Sequence, residues 1–209
     1  MALLVVGIGG TVRALSSSET ALRVALAAAA ACGAEIELLA ATELLLPAYE
    51  PGAGAPHAAR LLAALRAADG VIISTPGYHG GMSGLLKNAL DYIEEMAGDE
   101  RPYLDHLPVG CIAVARGSQG AVSALDNLRS VIHALRGFPT PYGAAVTLPA
   151  AVPAAGWLDG VVQERLELVG RQVYSLATAL RYADGSAFAA AQADGAAPAR
   201  SRPRCEARR

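Results

Sequence analysis

The sequence predicts an α/β fold, in which a five-stranded parallel sheet of strand order 2-1-3-4-5 carries helices on both faces. Two observations lead to this prediction. Short apolar runs of strand length alternate five times with longer stretches of helical periodicity. The first run, Leu3 to Val6, is continuously apolar rather than alternating in polarity, which is typical of a parallel strand buried on both faces.

The predicted strands are runs of Leu, Val, Ile and Ala that end at turn residues. The first strand ends at Gly7 and the third ends just before Pro76, while Gly117 opens the loop after the fourth. Glycine and proline are frequent in turns because of their special backbone conformations. In chain order the predicted strands are residues 3–6, 35–39, 71–74, 109–115 and 144–148.

The predicted helices have one apolar face each and lie between the strands. In the first, Leu22, Leu26 and Ala29 share a face, and Gly33 is a plausible C-cap. Right-handed crossovers would place such helices on both faces of the sheet. In chain order the predicted helices are residues 18–32, 57–68, 83–96, 121–135 and 158–182. A six-stranded Rossmann arrangement is the alternative that this alternation leaves open.

Composition restricts the function classes. The chain has 209 residues, of which 53% are hydrophobic and 17% charged, so it can bury a core. A net charge of −2 gives no electrostatic footprint for nucleic acid or an anionic membrane. No apolar run reaches the roughly 18–20 residues that a spanning helix needs. The first ten residues indicate a strand entering a glycine loop rather than a signal peptide.

Cysteine usage and the last segment complete the organisation. Cys32, Cys111 and Cys205 are odd in number and far apart, matching neither a disulfide framework nor a metal site, which favours the cytoplasm. Residues 183–209 are rich in Ala, Gly, Pro and Arg without apolar periodicity. We expect one domain over residues 1–182 and a disordered tail over 183–209, whose arginines are more simply explained by solvation than by anion binding.

The loop after the first strand has the chemistry of a phosphate site. Residues 7–18 combine three glycines with hydroxyl side chains and Arg13 ahead of a helix N-terminus. Such an N-terminus favours an anion, and a guanidinium adds a bidentate donor. The spacing matches neither a P-loop nor the dinucleotide fingerprint. A serine N-cap beside a flexible loop is the simpler alternative.

The loop after the third strand suits a flat ligand. Residues 75–84 hold four glycines and a proline, so the backbone must adopt special conformations. An exposed loop histidine is a simpler explanation of His79 than catalysis. Lys87 and Asp91 are four residues apart and are explained by a pair on one helix face.

The loop after the fourth strand, residues 116–120, offers consecutive backbone N–H groups between glycines. Such a nest can face a developing negative charge. An ordinary strand-to-helix turn explains the same residues equally well.

Together these loops resemble the NAD(P)H-dependent FMN reductase family. The stretch TPGYHGGMSGLLKNALDY is similar to that family's signature, T-P-E-Y-N-x-x-x-x-G-x-L-K-N-A-L-D, and GGTVRALSSS resembles its phosphate loop, G-S-x-R-x-x-S-x-N. The resemblance covers residues 3 to about 180. It implies a flavodoxin-like fold, FMN as cofactor, NADPH or NADH as hydride donor, and a homodimer or tetramer with flavin sites near the subunit interface.

The resemblance assigns site residues position by position. It implies that the first loop holds the phosphate, the second lies beside the flavin ring, and the third lies beside its pyrimidine edge. Gly77 and His79 depart from the usual Glu and Asn, so no side-chain role carries over to them. The predicted cofactor-binding residues are Thr11, Arg13, Ser16, Ser17, Ser18, Pro76, Gly77, Tyr78, His79, Gly80, Arg116, Gly117, Ser118, Gln119 and Gly120.

The implied activity is hydride transfer from NAD(P)H to flavin, followed by reduction of free flavin or a quinone-like acceptor. Flavin supplies this chemistry itself, so we expect no catalytic protein side chain and no metal. Supply of reduced flavin to a monooxygenase partner is one version, although residues 121–135 lack the extra Tyr of the subgroup that does this. The alternative function is a flavodoxin-type electron carrier without a nicotinamide site, which the small net charge and few aromatic residues disfavour.

Overall fold

The computed structural model describes residues 2–149 and 157–193. Its strands are β1 (Leu4–Gly9), β2 (Glu35–Leu39), β3 (Gly70–Pro76), β4 (Pro108–Ala115), β5 (Phe138–Pro139) and β6 (Ala144–Thr147). Its helices are α1 (Ser17–Ala31), α2 (Ala59–Ala67), α3 (Gly84–Asp91), α4 (Ser118–Ala134) and α5 (Gly160–Ala193). Short 3-10 helices span Ala41–Leu44, Pro56–Ala58 and Tyr92–Met96.

The sheet has the predicted order, with one strand more than expected. The strands run β2-β1-β3-β4-β5 and all pair in parallel, while β6 also pairs with β4. The two strands divide one edge position: β5 pairs with the beginning of β4, and β6 pairs with Ile112 to Ala115 at its end. Pro139 is the last residue of β5, and Pro141 lies between β5 and β6. Because proline lacks the N–H that a ladder needs, the edge cannot continue as one strand.

Two apolar clusters, one on each face of the sheet, form the core. On one face α1 and α5 pack against each other over Val5, Ile72 and Ile112. On the other face α2, α3 and α4 cover Val6, Ile8 and other strand side chains. The predicted α/β architecture with helices on both faces is therefore confirmed.

Some helix boundaries differ from the prediction. The apolar stretch at 83–96 is an α-helix only to Asp91 and continues as a 3-10 helix to Met96. Helix α4 begins at Ser118, earlier than expected. Helix α5 continues past the predicted end at residue 182 to Ala193, so its backbone crosses the predicted boundary between domain and tail. The rest of the predicted tail, 194–209, lies outside the described residues. None of the helices described is long and apolar enough to cross a membrane.

Candidate functional site

A cavity of about 720 Å³ lies beyond the carboxyl ends of the central strands. This is where open α/β sheets bind ligands, because the loops after neighbouring parallel strands meet there. The predicted site residues that line it are Thr11, Arg13, Ser16, Ser17, Ser18, Pro76, Gly77, Tyr78 and Arg116. The other predicted residues are adjacent in sequence but are not part of this lining, namely His79, Gly80, Gly117, Ser118, Gln119 and Gly120.

The hydroxyl groups of the first loop form a connected chain at the start of α1. The Thr11 hydroxyl donates to Ser16 Oγ at 2.8 Å, and Ser16 Oγ lies 3.2 Å from Ser18 Oγ. Ser16 is the N-cap of α1, because its Oγ accepts from the Glu19 backbone N–H at 3.2 Å. A helix N-terminus carries partial positive charge, so these groups surround a position that suits phosphate oxygens.

A buried carboxylate holds this loop in place. Glu19 is 4% exposed, and it accepts hydrogen bonds from the Leu15 N–H at 3.0 Å and from Arg23 Nη2 at 2.7 Å. Sequence reasoning missed Glu19, although Ser16-x-x-Glu19 has the spacing of a capping box and would have indicated it. Because Arg23 already pairs with this carboxylate, Glu19 leaves the charge of Arg13 unopposed.

Two arginines on the cavity lining have no counter-ion. Arg13 and Arg116 are both exposed, and their guanidinium groups form no ion pair or hydrogen bond with any residue in the described ranges. Most of the chain's other described arginines are paired, such as Arg66 with Asp99 at 2.7 Å. An unpaired guanidinium beside a helix N-terminus favours an anionic ligand.

The second loop is a tight hairpin turn. Tyr78 and Gly81 exchange backbone hydrogen bonds at 2.9 and 3.0 Å. His79 and Gly80 between them have φ of 50° and 87°, as in a type I′ turn. Residue 79 therefore adopts a conformation that suits Asn or Gly better than His. Tyr78 remains 55% exposed at the edge of the cavity.

Buried hydrogen bonds fix this turn to its neighbours. The Ser83 hydroxyl donates to the Gly10 carbonyl at 2.6 Å, and the Ser83 N–H donates to Thr75 Oγ1 at 3.0 Å. Gly77 lies so close to α4 that a Cβ there would be 2.9 Å from the Gly120 carbonyl oxygen. The absence of a side chain at 77 thus permits the close approach of the second loop to the third.

The prediction of a five-residue third loop is wrong in its extent. Ser118, Gln119 and Gly120 form the first turn of α4, and Gly117 is its N-cap. The expected nest of N–H groups is therefore a helix N-terminus, whose first-turn N–H groups have no intrahelical acceptor. A helix N-terminus can present its N–H groups to an anion just as the predicted nest would, although these residues do not line the cavity itself.

Seven further lining residues are not among the predicted site residues, namely Ala14, Leu15, Thr20, Val114, Ala115, Leu148 and Trp157. Thr20 lies one helical turn after Ser17, a spacing that could have indicated it. Leu148 and Trp157 precede and follow a segment outside the described residues, and nothing in their sequence context signals a site. Leu148 and Trp157 add apolar surface to a lining that also has hydroxyl groups, as a ligand with a charged tail and a flat ring requires.

A second cavity of about 410 Å³ adjoins the first and shares Thr11, Arg13 and Tyr78 with it. Its other lining residues belong to the first loop and the start of α3. The two cavities together surround the exposed Tyr78 ring.

The sequence also matches a known family. Residues 3–151 match the family model described as NADPH-dependent FMN reductase. The chain belongs to this family. The family's cofactor is FMN and its electron donor is NAD(P)H, so the predicted cofactors are confirmed at family level. The hydroxyl chain, the free Arg13 and the cavity fit a phosphate-bearing flavin.

Curated relatives of the family match over a shorter segment. The chain is 41% identical over 71 residues to an NADPH azoreductase of a Bacillus species, which is 34% of this chain and 36% of that protein. It is 42% identical over 77 residues to an FMN-dependent NADPH-azoreductase of Staphylococcus haemolyticus, 36% of each chain. The match therefore spans little more than a third of these relatives.

Solved structures share the fold. RosB, crystallised with bound 8-demethyl-8-formylriboflavin-5'-phosphate, superposes with a TM-score of 0.67 at 19% identity, covering 100% of this chain and 94% of its own. FerB of Paracoccus denitrificans, a flavoenzyme NAD(P)H:(acceptor) oxidoreductase, gives 0.64 at 21% identity, covering 83% and 98%. At such identities the likeness concerns the fold, which is the flavodoxin-like fold that the sequence predicted.

Proposed function

We propose that this chain binds FMN in the larger cavity and acts as an NAD(P)H-dependent oxidoreductase. The observation that carries the proposal is the unpaired Arg13 beside the Thr11–Ser16–Ser18 hydroxyl chain, at a helix N-terminus that opens on a cavity of about 720 Å³. The Arg13 guanidinium is a donor without an acceptor among the described residues, and a phosphomonoester supplies that acceptor beside hydroxyl groups that can reorient toward it.

The chain's residues have separate roles in this proposal. Arg13 and the hydroxyl groups bind the phosphate, and the backbone of the 76–78 segment supports the flat ring. The N-terminus of α4 lies beside the second loop, since a Cβ at Gly77 would be 2.9 Å from the Gly120 carbonyl oxygen, and its partial positive charge favours negative charge on a bound ring. FMN held here would supply the redox chemistry, which is hydride uptake from the nicotinamide nucleotide and electron transfer to an acceptor.

We propose a flat conjugated acceptor, an azo compound or a quinone, rather than free flavin. Exposed Tyr78 and the adjoining smaller cavity leave space beside the ring position for a planar molecule. The relatives named as azoreductases are consistent with this choice. The alternative electron acceptor is free flavin, which would be supplied in its reduced form to a monooxygenase. A cytoplasmic location, inferred from cysteine usage, is part of the same proposal.

We further propose a homodimer, on grounds that differ from the predicted ones. The apolar stripe of the predicted helix at 83–96, formed by Leu86, Leu90 and Ile93, is buried within the subunit and is not available for an interface. The support comes instead from apolar side chains that remain half exposed or more in the segments that follow the strands at the cavity side of the sheet. Val12, Leu15 and Tyr78 line the cavities, and Leu45 and Val122 belong to the segments after β2 and β4.

Flavin reconstitution tests the function. Purified protein is titrated with FMN and with riboflavin, followed by flavin fluorescence, and the FMN complex is then mixed anaerobically with NADPH or NADH. We expect tighter binding of FMN than of riboflavin and bleaching of the flavin absorbance on adding nucleotide. Equal affinity for the two flavins would contradict the phosphate site. Tight FMN binding without bleaching by either nucleotide would favour an electron carrier.

A further inference from the structure

Trp157 is the chain's single tryptophan, and it lies on the lining of the larger cavity. Its side chain is 8% exposed and belongs to the buried cluster between α1 and α5, which includes Ala21 and Leu166. The indole is therefore held by packing, and only a small part of it reaches the cavity.

The polar atom of this indole has no partner. Among the residues described, Trp157 forms no hydrogen bond, and no fully buried side-chain nitrogen or oxygen lacks one. The Nε1–H must therefore lie on the accessible part of the side chain. Trp157 lines the larger cavity, which places the accessible part of its side chain at the cavity wall. An indole N–H at the wall of a cavity donates to water in the free protein, and a ligand oxygen that enters the cavity can replace that water as the acceptor.

The position of Trp157 selects which part of a flavin could supply the acceptor. Ser17 and Thr20, on one face of α1, line the same cavity, and Ala21 beside Thr20 shares a buried cluster with Trp157. This wall begins at the phosphate loop. The acceptors expected along it are oxygens of the phosphate-bearing ribityl chain rather than the ring carbonyls.

We propose that Trp157 is a ligand-binding residue whose Nε1–H donates a hydrogen bond to an oxygen of the ribityl phosphate chain of FMN. The proposal rests on the proposed function, in which FMN occupies this cavity. Trp157 thus adds a donor from the segment after β6, at the edge of the sheet, to a site that is otherwise built by the loops after β1, β3 and β4.

The test uses the single indole N–H signal in a ¹H–¹⁵N spectrum of the labelled protein, during titration with FMN, riboflavin and lumiflavin. Lumiflavin has the ring without the ribityl chain, so it reports the ring's effect on the signal alone. We expect a downfield proton shift with FMN that lumiflavin at saturation does not reproduce. Riboflavin separates a ribityl oxygen, which it retains, from a phosphate oxygen, which it lacks.

Two outcomes would overturn the proposal. The indole signal could stay unmoved while flavin fluorescence shows FMN saturating the protein, or it could shift equally with FMN and lumiflavin. In both cases FMN binding, and with it the proposed function, would stand. If FMN failed to bind at all, the proposed function and this inference would fall together.

A variant supplies the independent check. Trp157→Phe keeps an aromatic ring but removes the donor, so FMN affinity should fall about three- to tenfold, as loss of one hydrogen bond predicts, while lumiflavin affinity changes little. Leu148→Ala is the matched control, because it removes an apolar part of the lining and should weaken both flavins alike. Equal losses for the two flavins in Trp157→Phe would contradict the hydrogen bond, and thermal melting of each variant confirms that it folds.

Discussion

Arg13 lies exposed at the cavity, without a counter-ion among the described residues, while the nearby buried carboxylate of Glu19 is already paired with Arg23. This arrangement leaves the positive charge of Arg13 available to a ligand. The first loop keeps its shape independently of the Arg13 side chain, because hydrogen bonds at Leu15 and Ser16 hold the loop backbone.

Arg13→Ala should therefore weaken FMN binding about tenfold or more, because a charge-assisted hydrogen bond contributes about 1.5–3 kcal/mol. Riboflavin binding should change little, since riboflavin has no phosphate. The measurement is fluorescence titration with both flavins. Arg66→Ala, which removes an exposed arginine near the opposite end of the strands, is the control. A similar loss for both flavins in Arg13→Ala would contradict the assignment.

Cys111 gives a second prediction at this scale. Burial in β4 raises the pKa of the Cys111 thiol to about 12, so the reactive thiolate is scarce at pH 8. In contrast, Cys32 is exposed at the end of α1. Iodoacetamide at pH 8 followed by peptide mass spectrometry should modify Cys32 rapidly and leave Cys111 unmodified until urea unfolds the protein. Fast modification of Cys111 in native protein would show that β4 opens readily.

Among the elements, α3 is joined to the first loop by Ser83. Its Oγ donates to the buried Gly10 carbonyl at 2.6 Å and accepts from the Leu86 N–H at 3.2 Å as the N-cap of α3. Ser83→Ala removes both bonds and should lower the free energy of unfolding by about 1–3 kcal/mol. Urea denaturation measures this. Ser130→Ala, at an exposed position in α4, should change stability by less than about 0.5 kcal/mol.

The contact of α1 with α5 depends on Gly170. A Cβ at this position would overlap the Ala25 carbonyl oxygen, which belongs to backbone and cannot rotate away. Gly170→Ala should therefore separate the helices and lower stability by about 1–3 kcal/mol. Gly160→Ala lies in the same helix with nothing within 4 Å of the added Cβ, so it should be neutral or slightly stabilising. If both variants melted alike, the close approach of the helices would be disproved.

For the whole molecule, the proposed homodimer places the apolar side chains at the cavity side of the sheet in the subunit interface. Val122, in the α4 segment that follows β4, is 50% exposed, and burying a charge in an interface is costly. Light scattering should give about twice the mass of 21.3 kDa for the native chain and a monomer for Val122→Arg. Phe138→Arg, exposed at the other end of the sheet, should remain dimeric. A native monomer at micromolar concentration would refute the dimer.

The sequence by itself predicted the strand order, which the structure confirms, and the family, which the family model confirms; it also led to the hypothesis of a phosphate-binding first loop. Continuous apolar runs and the hydroxyl–arginine loop are local patterns, and local patterns can be read without coordinates. Local patterns could not show that the prolines at 139 and 141 divide the edge position between β5 and β6. This division depends on how each of the two segments pairs with β4. Nor could they show that Ser118 to Gly120 belong to α4 rather than to a loop.

Only the tertiary structure shows which residues complete the wall of the cavity. Leu148 and Trp157 are distant in sequence from the phosphate loop and carry no motif, yet they line the same cavity. The physical reason is that a parallel sheet brings the ends of separated strands to one edge, so that a site's wall comes from residues whose only common property is position. The indole N–H of Trp157, for which no described residue is an acceptor, likewise acquires meaning only in the tertiary structure.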